Sequence, residues 1–214
     1  MKTPNDFAAD PASFPVFEMF HSWQGEGVHA GRSSFFIRLA GCPIHCPWCD
    51  SAETWDASRA PRFDAGMLAE KARAARPDFV VITGGEPAVY DLSPLCDALH
   101  AAGLRVHLET SGAFPIRGEI DWVTLSPKTR RLPIDENFSR ANEIKIIVPD
   151  PQELDFWTEK ISRARLRGDA FVWLHPEWSQ RENPRVLAAI SECVCRRGFP
   201  FRAGWQLHKL FNVR

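Results

Sequence analysis

The chain reads as an α/β protein built on an open, partial (β/α) barrel of about six parallel strands, the smallest form of such a core. Three observations predict it. Short β-branched or aromatic runs alternate with longer segments of helical apolar spacing. Glycine or proline punctuates most junctions between them. The helical segments are too few to close an eightfold barrel, so the sheet is expected to stay open.

Taken in order, Phe17 to Ser22 and Ser34 to Leu39 are apolar and aromatic-rich, and they flank a polar, glycine-containing turn from Gln24 to Gly31. Both read as strands. Asp64 to Ala75 has helical apolar spacing, and Asp78-Phe79-Val80-Val81-Ile82-Thr83 is a short β-branched run ended by Gly84-Gly85. A helix from Leu92 to Ala102 stops at Gly103, which suits a left-handed C-terminal cap, and Leu104 to Leu108 is the next strand. Trp122 to Leu125, Glu143 to Val148 and Ala170 to Leu174 repeat the strand pattern. Helices from Pro151 to Arg165 and from Pro184 to Arg196 separate or follow them. Strands alternating with helices of this length imply a parallel sheet with right-handed crossovers. No linker or internal repeat interrupts the pattern, so a single domain over residues 1–214 is expected, with residues 1–13 as a flexible N-terminal tail.

Composition excludes several classes. A chain of 214 residues that is 44% hydrophobic has material for a sizeable core. The net charge of −1 gives no basic surface for nucleic acid. No apolar run approaches the roughly 18 residues of a membrane span. The opening Met1-Lys2-Thr3-Pro4-Asn5-Asp6 lacks the apolar centre of a signal peptide, so a cytoplasmic location is expected. In that reducing compartment the six cysteines are thiols or metal ligands. Cys96, Cys193 and Cys195 read as small helix-borne hydrophobes.

The other three cysteines carry the chemistry. Cys42-Pro43-Ile44-His45-Cys46-Pro47-Trp48-Cys49 places them at CxxxCxxC spacing in one loop. A cubane iron–sulfur cluster normally takes four thiolates, so three leave one iron open to a small molecule with an amine and a carboxylate. S-adenosylmethionine is the cofactor that radical chemistry places there. A zinc site with His45 as fourth ligand is a second reading, strained because all four ligands would fall in one tight loop. In a parallel α/β sheet, sites gather at the carboxyl ends of the strands. Thr83 to Pro87, Glu109 to Gly112, Ser126 to Lys128 and His175 to Glu177 all fall at such ends. Gly84 and Gly85 there let a ligand approach the backbone, whose carbonyls accept from an ammonium group.

The cysteine loop followed by Gly84-Gly85-Glu86-Pro87 resembles the radical S-adenosylmethionine superfamily. Five further stretches resemble one branch of it, the 7-carboxy-7-deazaguanine synthases of queuosine and deazapurine biosynthesis. They are Phe20 to Gly27, Phe36 to Cys42, Cys49-Asp50-Ser51, Ser126-Pro127-Lys128, and Trp205-Gln206-Leu207-His208-Lys209. The resemblance implies a 4Fe–4S cluster on Cys42, Cys46 and Cys49, with S-adenosylmethionine contacted by Gly85, Ser126, Pro127 and Lys128. It implies a lyase that turns 6-carboxy-5,6,7,8-tetrahydropterin into 7-carboxy-7-deazaguanine, with ring contraction and loss of ammonia. A 5′-deoxyadenosyl radical would take hydrogen from C6 of the pterin and later return it.

Pterin contacts implied by the matching motifs are Trp23, Gln24, Gly25, Arg38 and Thr83, with Arg38 forking onto the carboxylate. Magnesium is implied through Ser51, where many relatives carry threonine, and a pairing of the terminal carboxylate of Arg214 with the pterin is also implied. His175-Pro176 departs from a Gln-Pro pattern, which puts a cofactor contact there in question. A flavodoxin or ferredoxin as reductant and a homodimer complete the expected partners. Two rivals differ in class. A glycyl-radical-enzyme activating protein would share the cluster loop but lack a pterin pocket, and a zinc-binding interaction protein would explain the cysteine loop alone.

Overall fold

In the computed structural model, which describes residues 12–213, nine strands form. They are β1 (Ser13–Trp23), β2 (Ser33–Leu39), β3 (Arg62–Asp64), β4 (Phe79–Gly84), β5 (Val106–Thr110), β6 (Trp122–Leu125), β7 (Glu143–Val148), β8 (Phe171–Pro176) and β9 (Phe201–Ala203). The helices are α1 (Ala65–Ala75), α2 (Ser93–Ala101), α3 (Asp135–Arg140), α4 (Pro151–Arg163), α5 (Pro184–Arg197) and α6 (Leu207–Leu210). All nine strands share one sheet, in the order β3-β1-β2-β4-β5-β6-β7-β8-β9.

From β2 to β9 every neighbouring pair is parallel, which makes seven parallel strands where about six were expected. The extra one, β9, is three residues long and too short to show a period. β1 runs antiparallel to β2, with Ser22 opposite Ser34. Their connection is shorter than the dozen or so residues that a parallel crossover requires, so it can only form a hairpin. β1 also starts at Ser13, inside the segment expected to be a tail, because Ser13 to Pro15 pairs with β3.

Local chemistry explains the helix ends. Asp64, Asp150 and Asn183 accept from backbone N–H groups at the starts of α1, α4 and α5, with proline in the first turn of the last two. Gly103 has φ +77°, and the N–H of Leu104 reaches back to the Leu99 carbonyl at 3.0 Å, so α2 ends in the left-handed cap expected of it.

Alternation along the strands separates two layers. Ile37, Val80, Ile82, Val106, Leu108, Val123, Ile144, Ile146, Val172 and Leu174 are buried and belong to the two large apolar clusters that the flanking helices cover. The intervening residues face the other side, where Phe36, Phe79 and Val81 form a small cluster of their own. That second face also carries Arg38, Thr83, Glu109, Thr124, Glu143, Lys145 and His175, and its polar members build the site. Residues of β1 and β2 line the same cavity as residues of β7 and residues after β8, so the sheet curls around it.

Candidate active site

The cavity measures about 770 Å³ and opens at the carboxyl ends of the parallel strands. One wall is the cysteine loop. Gly41 (φ +103°) and His45 (φ +52°) take left-handed backbone conformations that fold Cys42 to Cys49 into a tight turn. The N–H groups of Gly41 and Cys42 bond to the carbonyls of Thr54 and Trp55 at 2.6 and 3.2 Å, which closes the loop at its base. The His45 ring stacks on Trp55 with centroids 4.4 Å apart. Cys42 and Cys46 are buried, Cys49 is half-buried, and all three line the cavity.

These thiols fit an iron–sulfur cluster. Burial pushes Cys42 up to about 11, an effect that the backbone N–H groups of Ile44 and His45 partly oppose. Burial raises Cys46 as well, while Lys128 and Arg130 pull it down. Iron would displace the protons, and the surrounding N–H groups and cations would stabilise the thiolates. Zinc would need ligand atoms within about 4 Å of one another, given Zn–S bonds of about 2.3 Å. Among the described residues no three His, Cys, Asp or Glu side chains converge in that way.

The glycine pair seats this loop on the sheet. A Cβ at Gly84, whose φ is +126°, would lie 2.1 Å from the Leu39 carbonyl oxygen. One at Gly85 would lie 2.4 Å from that of Gly41 and 3.1 Å from the Cys42 Cβ. Backbone bonds from Gly85 to Leu39 (2.8 Å) and from Glu86 to Gly41 (2.9 Å) occupy the space instead. Close approach of two backbones, as well as ligand access, therefore demands glycine here. Glu86 is almost wholly buried and accepts from Thr110 Oγ1 at 2.5 Å, from the Ser111 N–H at 2.8 Å and from the Ser111 hydroxyl. It ties the ends of β4 and β5 together. Lys128 Nζ bonds back to Ser126 Oγ and the Ser126 carbonyl at 2.7 and 2.8 Å, and lies 5.1 Å from the Trp48 ring centre. Burial, then repulsion from Lys145, lowers the Lys128 pKa.

Arg38 also lines the cavity. Its Nε donates to Glu18 at 2.9 Å and its Nη1 to Ser51 Oγ at 3.4 Å. Ser51 Oγ also contacts Asp50 Oδ1 at 3.2 Å, and the other Asp50 oxygen pairs with Lys209 at 3.1 Å. Burial by itself would raise Asp50, but Lys209 holds the carboxyl below its usual value.

The floor is a buried polar network. Lys145 Nζ lies 2.5 Å from Glu26 and 3.5 Å from Glu109. Gln24 donates to Glu109 at 3.0 Å, and Gln206 donates to Glu26 at 2.9 Å. Burial opposes the charge on Glu26, yet Lys145 keeps the carboxyl well below the usual range. Burial likewise opposes the charge on Lys145, and Glu109 and Glu26 outweigh it. His208 also lines the cavity, with a pKa lowered chiefly by burial.

Cys42, Cys46, Cys49, Ser51, Gly85, Ser126 and Lys128 meet Trp23, Gln24, Gly25, Arg38 and Thr83 in this one cavity. Pro127 is buried and does not line it. Arg214 lies outside the described residues. His175 is fully buried beneath the floor beside Glu26 and Gly204, with both ring nitrogens unpartnered among the described residues and burial lowering it to about 4. It does not reach the cavity. Glu26, Glu109, Lys145 and His208 were not among the expected contacts. A signal for Lys145 existed, since Glu143-x-Lys145-x-Ile147 alternates with the apolar Ile144-x-Ile146-x-Val148.

Comparison with known proteins agrees with this geometry. The radical SAM superfamily profile matches residues 36–129. The 7-carboxy-7-deazaguanine synthase of Synechocystis sp. is 45% identical over 203 residues, covering 94% of each chain. That of Escherichia coli K12 is 32% identical, covering 94% of this chain and 99% of the relative. The crystal structure of QueE from Escherichia coli superposes with a TM-score of 0.79 at 29% identity, over 97% of this chain and 99% of that one. A cysteine loop built for a cluster and relatives matched along almost the whole length lead to the same place, and the chain belongs to the 7-carboxy-7-deazaguanine synthase family of radical SAM enzymes.

Proposed function

We propose that this chain converts 6-carboxy-5,6,7,8-tetrahydropterin to 7-carboxy-7-deazaguanine, a ring contraction with loss of ammonia, in deazapurine biosynthesis. The observation that carries the reading is the shared cavity, lined by the cysteine loop and Gly85 together with Arg38, Thr83 and Gln24. When bound, a 4Fe–4S cluster held by Cys42, Cys46 and Cys49 and S-adenosylmethionine held by Gly85, Ser126 and Lys128 would supply hydrogen-abstracting radical chemistry.

The protein's part is to bind, orient and keep water out. Arg38, oriented by Glu18, directs its guanidinium at the substrate carboxylate. Thr83, Trp23, Gln24 and Gly25 contact the pterin, and Glu109 and Lys145 set the charge beneath it. Gly85 and the Ser126 to Lys128 segment contact S-adenosylmethionine, with Pro127 stiffening that segment from behind. Magnesium would be held through Ser51 Oγ, a hard oxygen donor beside Asp50, with Arg38 and Lys209 close by. A flavodoxin or ferredoxin reduces the cluster, and the working unit is a homodimer with each chain a single domain. No helix among the described residues is long and apolar enough to cross a membrane, and the cytoplasm is the location proposed for the chain.

The test is anaerobic turnover of reconstituted protein with S-adenosylmethionine, reductant, magnesium and the pterin, read by mass spectrometry. Formation of 7-carboxy-7-deazaguanine with little net loss of S-adenosylmethionine is expected. Cleavage to 5′-deoxyadenosine without that product would move the substrate elsewhere in the superfamily.

A further inference from the structure

Glu143 stands at the start of β7 on the concave face, is only 4% exposed, and accepts four hydrogen bonds. Oε1 takes Thr124 Oγ1 at 2.8 Å and Trp122 Nε1 at 3.3 Å. Oε2 takes Trp173 Nε1 at 2.9 Å and the backbone N–H of Val28 at 2.9 Å. All four donors are neutral. A buried carboxylate without a cation among its hydrogen-bond donors is a poor choice for sheet packing alone, where an apolar residue of the same size would serve. The two carboxyl oxygens between them offer lone pairs to two indoles, a hydroxyl and an amide.

The fourth donor is the informative one. Val28 lies in the loop between β1 and β2, whose first residues Gln24, Gly25 and Glu26 line the cavity. Its neighbour Gly27 has φ +69°, and a Cβ there would sit 2.5 Å from Glu143 Oε1. The same loop bonds outward at several points. Gln24 reaches Glu109, Glu26 receives Gln206, and the Gly25 carbonyl receives the N–H of Leu207 at 3.0 Å. His29 packs its ring against Trp122 at 4.5 Å and Phe79 at 5.3 Å between centroids. The loop therefore spans the concave face, with Glu143 beneath and the C-terminal segment above.

We infer that Glu143 is a positioning residue for the substrate: it fixes from below the loop whose upper side contacts the pterin and seats the C-terminal segment. The inference rests on the pterin reading of Trp23 to Gly25. Two variants attack the anchor from opposite sides. Glu143→Leu removes the acceptor, and Gly27→Ala drives a methyl group against it while leaving the sheet interior intact. Glu143→Gln is the conservative control, since its oxygen can still face Val28 and Trp173 while Thr124 reverses its hydroxyl to accept from the amide.

Steady-state kinetics with pterin and S-adenosylmethionine are measured together with amide hydrogen exchange of the reconstituted protein. Gly27→Ala and Glu143→Leu are expected to raise the KM for the pterin at least tenfold, with kcat and the KM for S-adenosylmethionine within threefold of the parent. Exchange over residues 24–31 and 205–210 is expected to quicken at least tenfold, and Glu143→Gln to fall between parent and Glu143→Leu. If Glu143→Leu does not fold, Gly27→Ala alone decides. Parent-like KM and exchange in Gly27→Ala would overturn the inference, as would equal changes in both KM values. Should the parent cleave S-adenosylmethionine yet leave the pterin untouched, the substrate reading fails, and the exchange of the two segments decides the anchor by itself.

Discussion

Lys145 Nζ and Glu26 Oε2 meet at 2.5 Å beneath the cavity, a strand residue of β7 paired with a loop residue that follows β1. Glu109 shares the same ammonium at 3.5 Å. One cation is thus shared by two carboxylates that line the cavity, and it couples the loop to the sheet.

Replacing Lys145 by methionine leaves both carboxylates buried without a counter-charge. Breaking a buried pair in this way costs about 3–5 kcal/mol. Urea denaturation of Lys145→Met is expected to show a loss of that order, against under about 1 kcal/mol for Arg163→Ala, which breaks an exposed pair on α4. Similar midpoints for the two variants would mean that the floor is not held by its charge.

Gly85→Ala tests how the glycine pair works. The added methyl would meet the Gly41 carbonyl oxygen at 2.4 Å and the Cys42 Cβ at 3.1 Å, so the cysteine loop must shift. Iron and sulfide content after reconstitution is expected to drop at least fivefold. Full cluster loading with only S-adenosylmethionine binding lost would mean that the glycine serves ligand access and not loop seating.

Arg38→Lys keeps the positive charge but loses the planar fork and the Nε bond to Glu18. The KM for the pterin is expected to rise tenfold or more, while iron content and pterin-independent cleavage of S-adenosylmethionine stay at parent values. An unchanged KM would remove Arg38 from carboxylate recognition.

Acid stability should depend on His107. Its ring stacks on Phe79 with centroids 3.9 Å apart, faces His29, Arg32, Arg105 and Asp121, and is pushed by burial from 6.5 to about 3. The unfolded chain therefore binds one more proton than the folded one between about pH 3 and 6.5. Stability is full above that window and falls with pH inside it, by about 1.4 kcal/mol per pH unit for one such group. His107→Phe keeps the stack and removes the proton, so its stability, measured by denaturant titration at pH 6 and pH 4.5, should decline less steeply by that slope. Parallel declines would assign the acid limb to other groups.

Much of the site was legible because it is contiguous in the chain. The three cysteines fall within one turn, and Gly84-Gly85 sits at one strand end, so residue type and spacing state the chemistry without any knowledge of the fold. The strands of the parallel sheet were legible through their apolar runs, except β9, which holds only three residues. The short helices α3 and α6 escaped for the same reason, having too few turns to display a period.

By itself the sequence determined the α/β class, the spacing of the three cysteines proposed as cluster ligands, and the strand ends where polar residues gather, because each depends on neighbours in the chain. Only the tertiary structure decided that Lys145 serves Glu26 and Glu109, that Glu143 holds the amide of Val28, and that His175 lies beneath the floor and out of the cavity. Val28 and Glu143, for one, stand 115 positions apart in the sequence. Such relations come into being when the sheet curls and strand register brings alternate side chains onto its concave face, a geometry that no local run of residues encodes.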